Sequence, residues 1–222
     1  MAQVLPIQFR STGGVGVTPS FDFFDIAEGT GIVKFYGVAI DTGTGTLAYR
    51  LTTDATAFSY GDPTQSTWGK TFFSKVADSA GTEEINWDIT FNAPEIMKGK
   101  TRITCFAPIE STNNDSTMQI KVRLIKWDGS TETEVGAQVS SQDVTVVAGT
   151  GDSFFVLEVP FDAQTKFKKG ETLRIELIMN YDLGVASTDF NIFHSPANLL
   201  TAAAPTGATS QFIVEVPFVI DL

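Results

Sequence analysis

Residues 85–94 read INWDITFNAP, and the phase of this stretch decides the fold class. Ile85, Trp87, Ile89 and Phe91 alternate with Asn86, Asp88, Thr90 and Asn92. In an extended chain successive side chains point to opposite faces, so this spacing makes a strand with one buried and one wet face. A helix would scatter the same residues around its axis. The period recurs. MQIKVRLIKW sets Met118, Ile120, Val122 and Leu124 against Gln119, Lys121 and Arg123. ETLRIELIMN sets Leu173, Ile175, Leu177 and Met179 against Arg174 and Glu176. FIVEVPFVIDL puts Phe212, Val214, Val216, Phe218 and Ile220 on one side. GIVKFYGVAID, TLAYRLTT, KTRITCFAPI, SSQDVTVVA, SFFVLEVPFD and DFNIFHS are further strand candidates.

Turn residues punctuate these runs. Asp128-Gly129 after Trp127 is a strong hairpin signal, Lys168-Lys169-Gly170-Glu171 is a second turn, and Asn113-Asn114-Asp115-Ser116 is a polar loop. Pro217 lacks an N–H for a ladder, which predicts an edge or a bulge there. About ten short strands joined by turns predict an all-β protein, an antiparallel β-sandwich, with the jelly roll as the preferred topology. Residues 1–20, with Gly13-Gly14-Val15-Gly16 and Pro19, read as an extended N-terminal arm, leaving 21–222 as one sandwich domain. Residues 53–84 read as a long irregular connection rich in Thr, Ser, Asp and Gly, of the kind that often makes contacts.

Composition narrows the function classes. The chain has 222 residues, 42% hydrophobic and 18% charged, which is ample material for a core. Its net charge of −11 repels a polyanion, so no nucleic-acid partner is expected. Lys166, Lys168 and Lys169 make a solvated hairpin tip rather than a basic patch. A single cysteine, Cys105, forms no intrachain disulfide. No stretch approaches the ~20 apolar residues of a membrane-spanning helix, and MAQVLPIQFRSTGG lacks the pattern of a signal peptide. The expectation is a protein made in a cytoplasm, without a membrane partner.

The stretch FDFFDIAEGTGIVKFYG (21–37) raises a cofactor question. A dinucleotide loop needs its glycines to open a helix. Here Gly31 opens Ile-Val-Lys-Phe-Tyr, a β-branched and aromatic run, and no Gly-Lys-Ser/Thr triplet is present. The glycines therefore read as a turn feeding a strand, with Asp22 and Asp25 as turn or cap residues, and no cofactor is expected. Phe21, Phe23 and Phe24 read as subunit-contact residues, two on one strand face and one on the other. A nucleophilic site would have to use His194, the single histidine. Its neighbour Ser195 points to the opposite strand face, so His194 reads as making a local hydrogen bond, and Cys105 reads as core. Zinc lacks ligands, and no calcium-loop motif occurs, although Asp182 with Asp189, or Asp143 with Asp152, could converge. Glu158 and Glu176 read as ordinary surface acids. No catalytic or metal-binding residue is assigned, and a non-enzyme is expected. Trp87 reads as core; Tyr60, Trp68 and Trp127, with Phe58, are candidate glycan contacts.

Taken in order, the blocks FDFFDIAEGTGIVKFYGVAID, INWDITFNAPEIMKGKTRITCFAP, MQIKVRLIKWDGSTETEVG, FKKGETLRIELIM, FNIFHSPAN and FIVEVPFVIDL resemble small β-rich virion structural proteins of tailed phages and related archaeal viruses: capsid decoration, minor capsid or fibre-like proteins. The resemblance implies a jelly-roll-like sandwich without catalysis. It also implies assembly on a particle; the acidic charge points to the particle exterior, and copies of itself, in an expected trimer, and other capsid proteins are the expected partners. A carbohydrate-binding module for surface attachment is the alternative.

Overall fold

The computed structural model describes residues 30–42, 47–57, 59, 72–77, 80–111, 116–146, 149–151, 153–183, 188–196 and 211–219. The arm expected at 1–20 lies outside them. The elements are β1 (Thr30–Asp41), β2 (Leu47–Thr52), β3 (Phe72–Ala77), β4 (Gly81–Thr90), β5 (Glu95–Met97), β6 (Lys100–Phe106), β7 (Ile109–Ser111) and β8 (Ser116–Trp127). They continue with β9 (Glu132–Ser140), β10 (Val144–Val146), β11 (Gly149–Gly151), β12 (Phe154–Pro160), β13 (Thr165–Phe167), β14 (Thr172–Leu183), β15 (Thr188–Phe193) and β16 (Ile213–Val219). The protein is all-β. β3 and the start of β4 lie within the stretch 53–84 expected to be irregular.

The larger sheet runs β10-β8-β14-β4-β2-β1-β16-β5-β13, with β9 on β8, and β6 carrying β12 beside β16. Its ladders are antiparallel except for one parallel bridge, Arg50↔Asp88, between β2 and β4. At that bridge the sheet turns over, and its two halves close on one core. Across the other side, β9 and β12 meet without a ladder. Asp162 N–H donates to Val135 O at 2.9 Å. A Cβ on Gly136 would lie 2.7 Å from Pro160 O, so only glycine lets these backbones approach. The sheet is thus nearly a closed barrel. A second sheet runs β11-β7-β15-β3.

The alternating strands bury the faces their sequences mark: Met118, Ile120, Val122 and Leu124 of β8, and Leu173, Ile175, Leu177 and Met179 of β14, are all fully buried. Trp87 of β4 stacks on Phe212 at 4.6 Å between ring centroids. The stack fits because Gly37 lies against it; a Cβ there would be 2.8 Å from both rings. Gly129 and Gly170 take positive φ (101° and 89°) in the two turns read from the sequence. Asp128 Oδ1 accepts from Ser130 N–H and Thr131 N–H at 2.9 and 2.8 Å, closing the first of these turns.

Pro217 corrects one expectation. It is neither on an edge nor at a bulge, because β16 lies between β1 and β6. The ladder to β6 stops at Glu215↔Arg102, and the next pairing, Phe218↔Met97, is to β5. Pro217 sits where β16 changes partner on that side, so its missing N–H breaks no ladder bond.

Candidate functional site

The outer faces of the two halves differ in chemistry. On β4, β14, β8 and β9, the polar side of each strand carries charges that register brings together. Asp88, nearly buried, accepts from Arg174 Nε at 2.8 Å and Nη2 at 3.1 Å, and from Arg50 Nη1 at 3.1 Å. Arg174 also pairs with Glu132. Arg123 grips Glu176 through two bonds, 2.7 and 2.8 Å, and reaches Glu134 at 3.5 Å. Glu176 is 2% exposed, which corrects its reading as a surface acid. Its hydrogen bond is the main reason Arg123 holds its proton more tightly than usual. This face is closed by its own ion pairs.

The half formed by β12, β6, β16 and β1 is different. Phe154 and Val156 of β12 are 56% and 44% exposed, and Ile32 and Ile40 of β1 are 41% and 46% exposed. Isolated exposed apolar residues are ordinary, but Val156 shares a cross-strand row with Thr104, Ile213 and Tyr36. Phe106, one row further, is buried under Phe193 of the second sheet at 5.4 Å.

His194 is fully buried. Its Nδ1 lies 2.8 Å from Ser59 Oγ, which also accepts from Ala39 N–H at 2.9 Å. The rings of Tyr49 and Trp87 pack on the imidazole at 5.7 and 5.5 Å. A serine hydroxyl against a histidine has the composition of a nucleophile and its base. Here the rings seal both, and the pair fastens residue 59 to β1 and to the segment after β15. The expected local bond of His194 is thereby corrected. Its partner is 135 residues away, and no sequence signal linked them.

Burial alters the proton affinity of three further groups. Burial pushes the Cys105 thiol up to about 12, in keeping with its core reading, and raises the carboxyl of Asp189. Burial pushes Glu95, beside Phe167 across the β5–β13 ladder, up to about 7. Between its ordinary 4.5 and about 7, the folded chain keeps this proton and the unfolded chain releases it. Folding thus binds a proton, and the contribution of Glu95 to stability falls as pH rises through this window. Solvent around the exposed part of the group limits the effect to about 1 kcal/mol. Glu95→Gln should raise the melting temperature at pH 8, leave it nearly unchanged at pH 4, and flatten the slope between. Thermal melts at the two pH values check this.

Of the residues singled out in the sequence, Phe21, Phe23, Phe24, Phe58, Tyr60, Trp68 and Asp152 lie outside the described residues. Trp87 is core. Trp127 is half-buried at the end of β8, and the Arg174 guanidinium lies over its ring, 5.3 Å from the centroid. Asp182 and Asp143 line an open depression of about 440 Å³ with Thr117, Gln119, Asn180 and Tyr181. Gln119 Nε2 donates to Asp143 at 2.8 Å. Among the described residues no three His, Cys, Asp or Glu gather as metal ligands would.

No protein-family model and no curated protein matches the chain. Solved structures similar to it include a CocE/NonD family hydrolase from Staphylococcus aureus, with 11% identity and a TM-score of 0.45 over 83% of this chain and 36% of that one. An α-amino acid ester hydrolase has 11% identity and a TM-score of 0.47, with the same coverage. An aminopeptidase from the marine sediment archaeon Thaumarchaeota archaeon has 10% identity and a TM-score of 0.45 over 84% and 37%. The chain spans about a third of the length of these proteins (36–37%). Because these similar structures are hydrolases, the expectation of a non-enzyme is corrected and no longer stands.

Proposed function

We propose that this chain is a structural component of a virus particle, a capsid decoration or minor capsid protein that binds copies of itself and the particle lattice. The observation that carries the reading is the contrast between its two outer faces. One is locked by Asp88, Arg174, Glu176 and Arg123; the other displays Phe154, Val156, Ile32 and Ile40 to solvent. A rigid β scaffold with one apolar-striped face is suited to contact, because burying that stripe is its main source of binding energy. The block resemblance of the sequence supports the same reading, and the acidic charge favours the exterior of a particle over the surface facing packaged DNA.

Density-gradient banding of particles from the source culture, with the chain quantified by mass spectrometry against the major shell protein, tests the proposal. Near-stoichiometric amounts are expected for a lattice-wide component. Absence from every particle fraction overturns the reading and puts glycan binding in its place, to be followed by a titration watched through tryptophan fluorescence.

A further inference from the structure

The exposed half-sheet carries a second pattern, in its charges. Cross-strand registers place Glu158 opposite Arg102, Arg102 opposite Glu215, and Glu215 opposite Lys34. Read across β12, β6, β16 and β1, the outward row is acid, base, acid, base. At the spacing of neighbouring strands it spans about 14 Å. The row of Val156, Thr104, Ile213 and Tyr36 runs parallel to it, two residues and about 7 Å along the strands. Within the charged row, Lys34 reaches Glu215 at 3.6 Å, and Lys100, one row further along β6, reaches Glu158 at 3.2 Å. Arg102 is exposed and makes no ion pair with any described residue.

An alternating row of four charges is its own complement when reversed. We propose that this face pairs with the same face of a second copy, about a two-fold axis that runs along the strands between β6 and β16. The rotation sets Arg102 against Glu215 of the second copy, and Glu158 against its Lys34. It also lays Val156 over Tyr36 and Thr104 over Ile213, so this half-buried row, with the exposed Val156 at its end, is covered by its own reverse. An axis along the row would set each charge against itself. A three-fold assembly brings two different patches together and makes no use of the reversal, so the pairing replaces the expected trimer. Sheets packed face to face at about 10 Å accommodate these side chains.

The inference rests on the self-association reading, and a charge exchange separates the two. Sedimentation velocity and native mass measurement of the full chain should show two copies. Arg102→Glu and Glu215→Arg should each weaken the pairing about tenfold or more, since each sets like charges together across the axis. The double variant restores an acid against a base and should recover the dimer. Melting curves show that each variant is folded. An oligomer that ignores both single reversals, or a double variant no better than the singles, overturns the two-fold pairing alone. A wild-type chain that stays a single copy overturns the pairing and the self-association reading together.

Discussion

Replacing Trp87 with alanine should cost about 3–5 kcal/mol of stability, the largest effect expected from a single substitution. The indole is fully buried, stacked on Phe212 with planes 16° apart, and met edge-on by Tyr49 at 4.8 Å. It joins the two halves of the sheet and roofs His194. Truncation would open a cavity against Gly37, which has no side chain to fill it. Trp87→Phe should cost clearly less. It keeps a stacked ring and removes a buried indole N–H that has no hydrogen-bond partner among the described residues. Urea unfolding followed by far-ultraviolet circular dichroism measures both. The alanine variant should lose midpoint with an unchanged slope, since the surface exposed on unfolding is the same.

Asp88→Ala is expected to be the second largest, at about 2–4 kcal/mol. It would leave Arg174, whose side chain is 16% exposed, without the carboxylate that accepts two of its bonds. Arg50, with a side chain 49% exposed, returns to water at little cost. The penalty is therefore that of a mostly dry guanidinium left with only the half-exposed Glu132 as ion-pair partner. Asp88→Leu with Arg174→Met should cost less than the sum of its single changes, because no uncompensated charge remains. A double-mutant cycle by denaturant unfolding should return a coupling of about 1–3 kcal/mol. A coupling near zero would mean that solvent already screens the pair.

Strand phase was legible because it is local. Alternation over 118–124 and 173–179 required no knowledge of neighbours, and the burial follows it residue by residue. Asp128-Gly129 and Lys169-Gly170 were legible for the same reason, since a positive φ is satisfied within the turn. What depends on partners was not legible. Glu176 looked like a surface acid because Arg123 lies 53 residues away and meets it only through the β8–β14 register. Ser59 gave no signal at all. Pro217 looked like an edge residue because sequence cannot show that a strand changes neighbours midway. The charge row across β12, β6, β16 and β1 belongs to the same class: each residue is unremarkable in its own strand, and the pattern exists only across four of them.

The interior place of β16 has a consequence for how the chain acquires its shape. β1 and β6 do not pair with each other; each has β2 or β12 on one side and residues 213–219 on the other. On a translating ribosome, roughly 10–40 seconds separate the appearance of β1 from that of β16, at about 5–20 residues per second. Throughout that interval Val33 and Phe35 lack their partners in β16, Val216 and Val214. Assembly of this half is deferred until β16 has emerged. The nascent chain therefore passes through a phase in which the apolar face of β1 lacks its β16 partner and is exposed to aggregation.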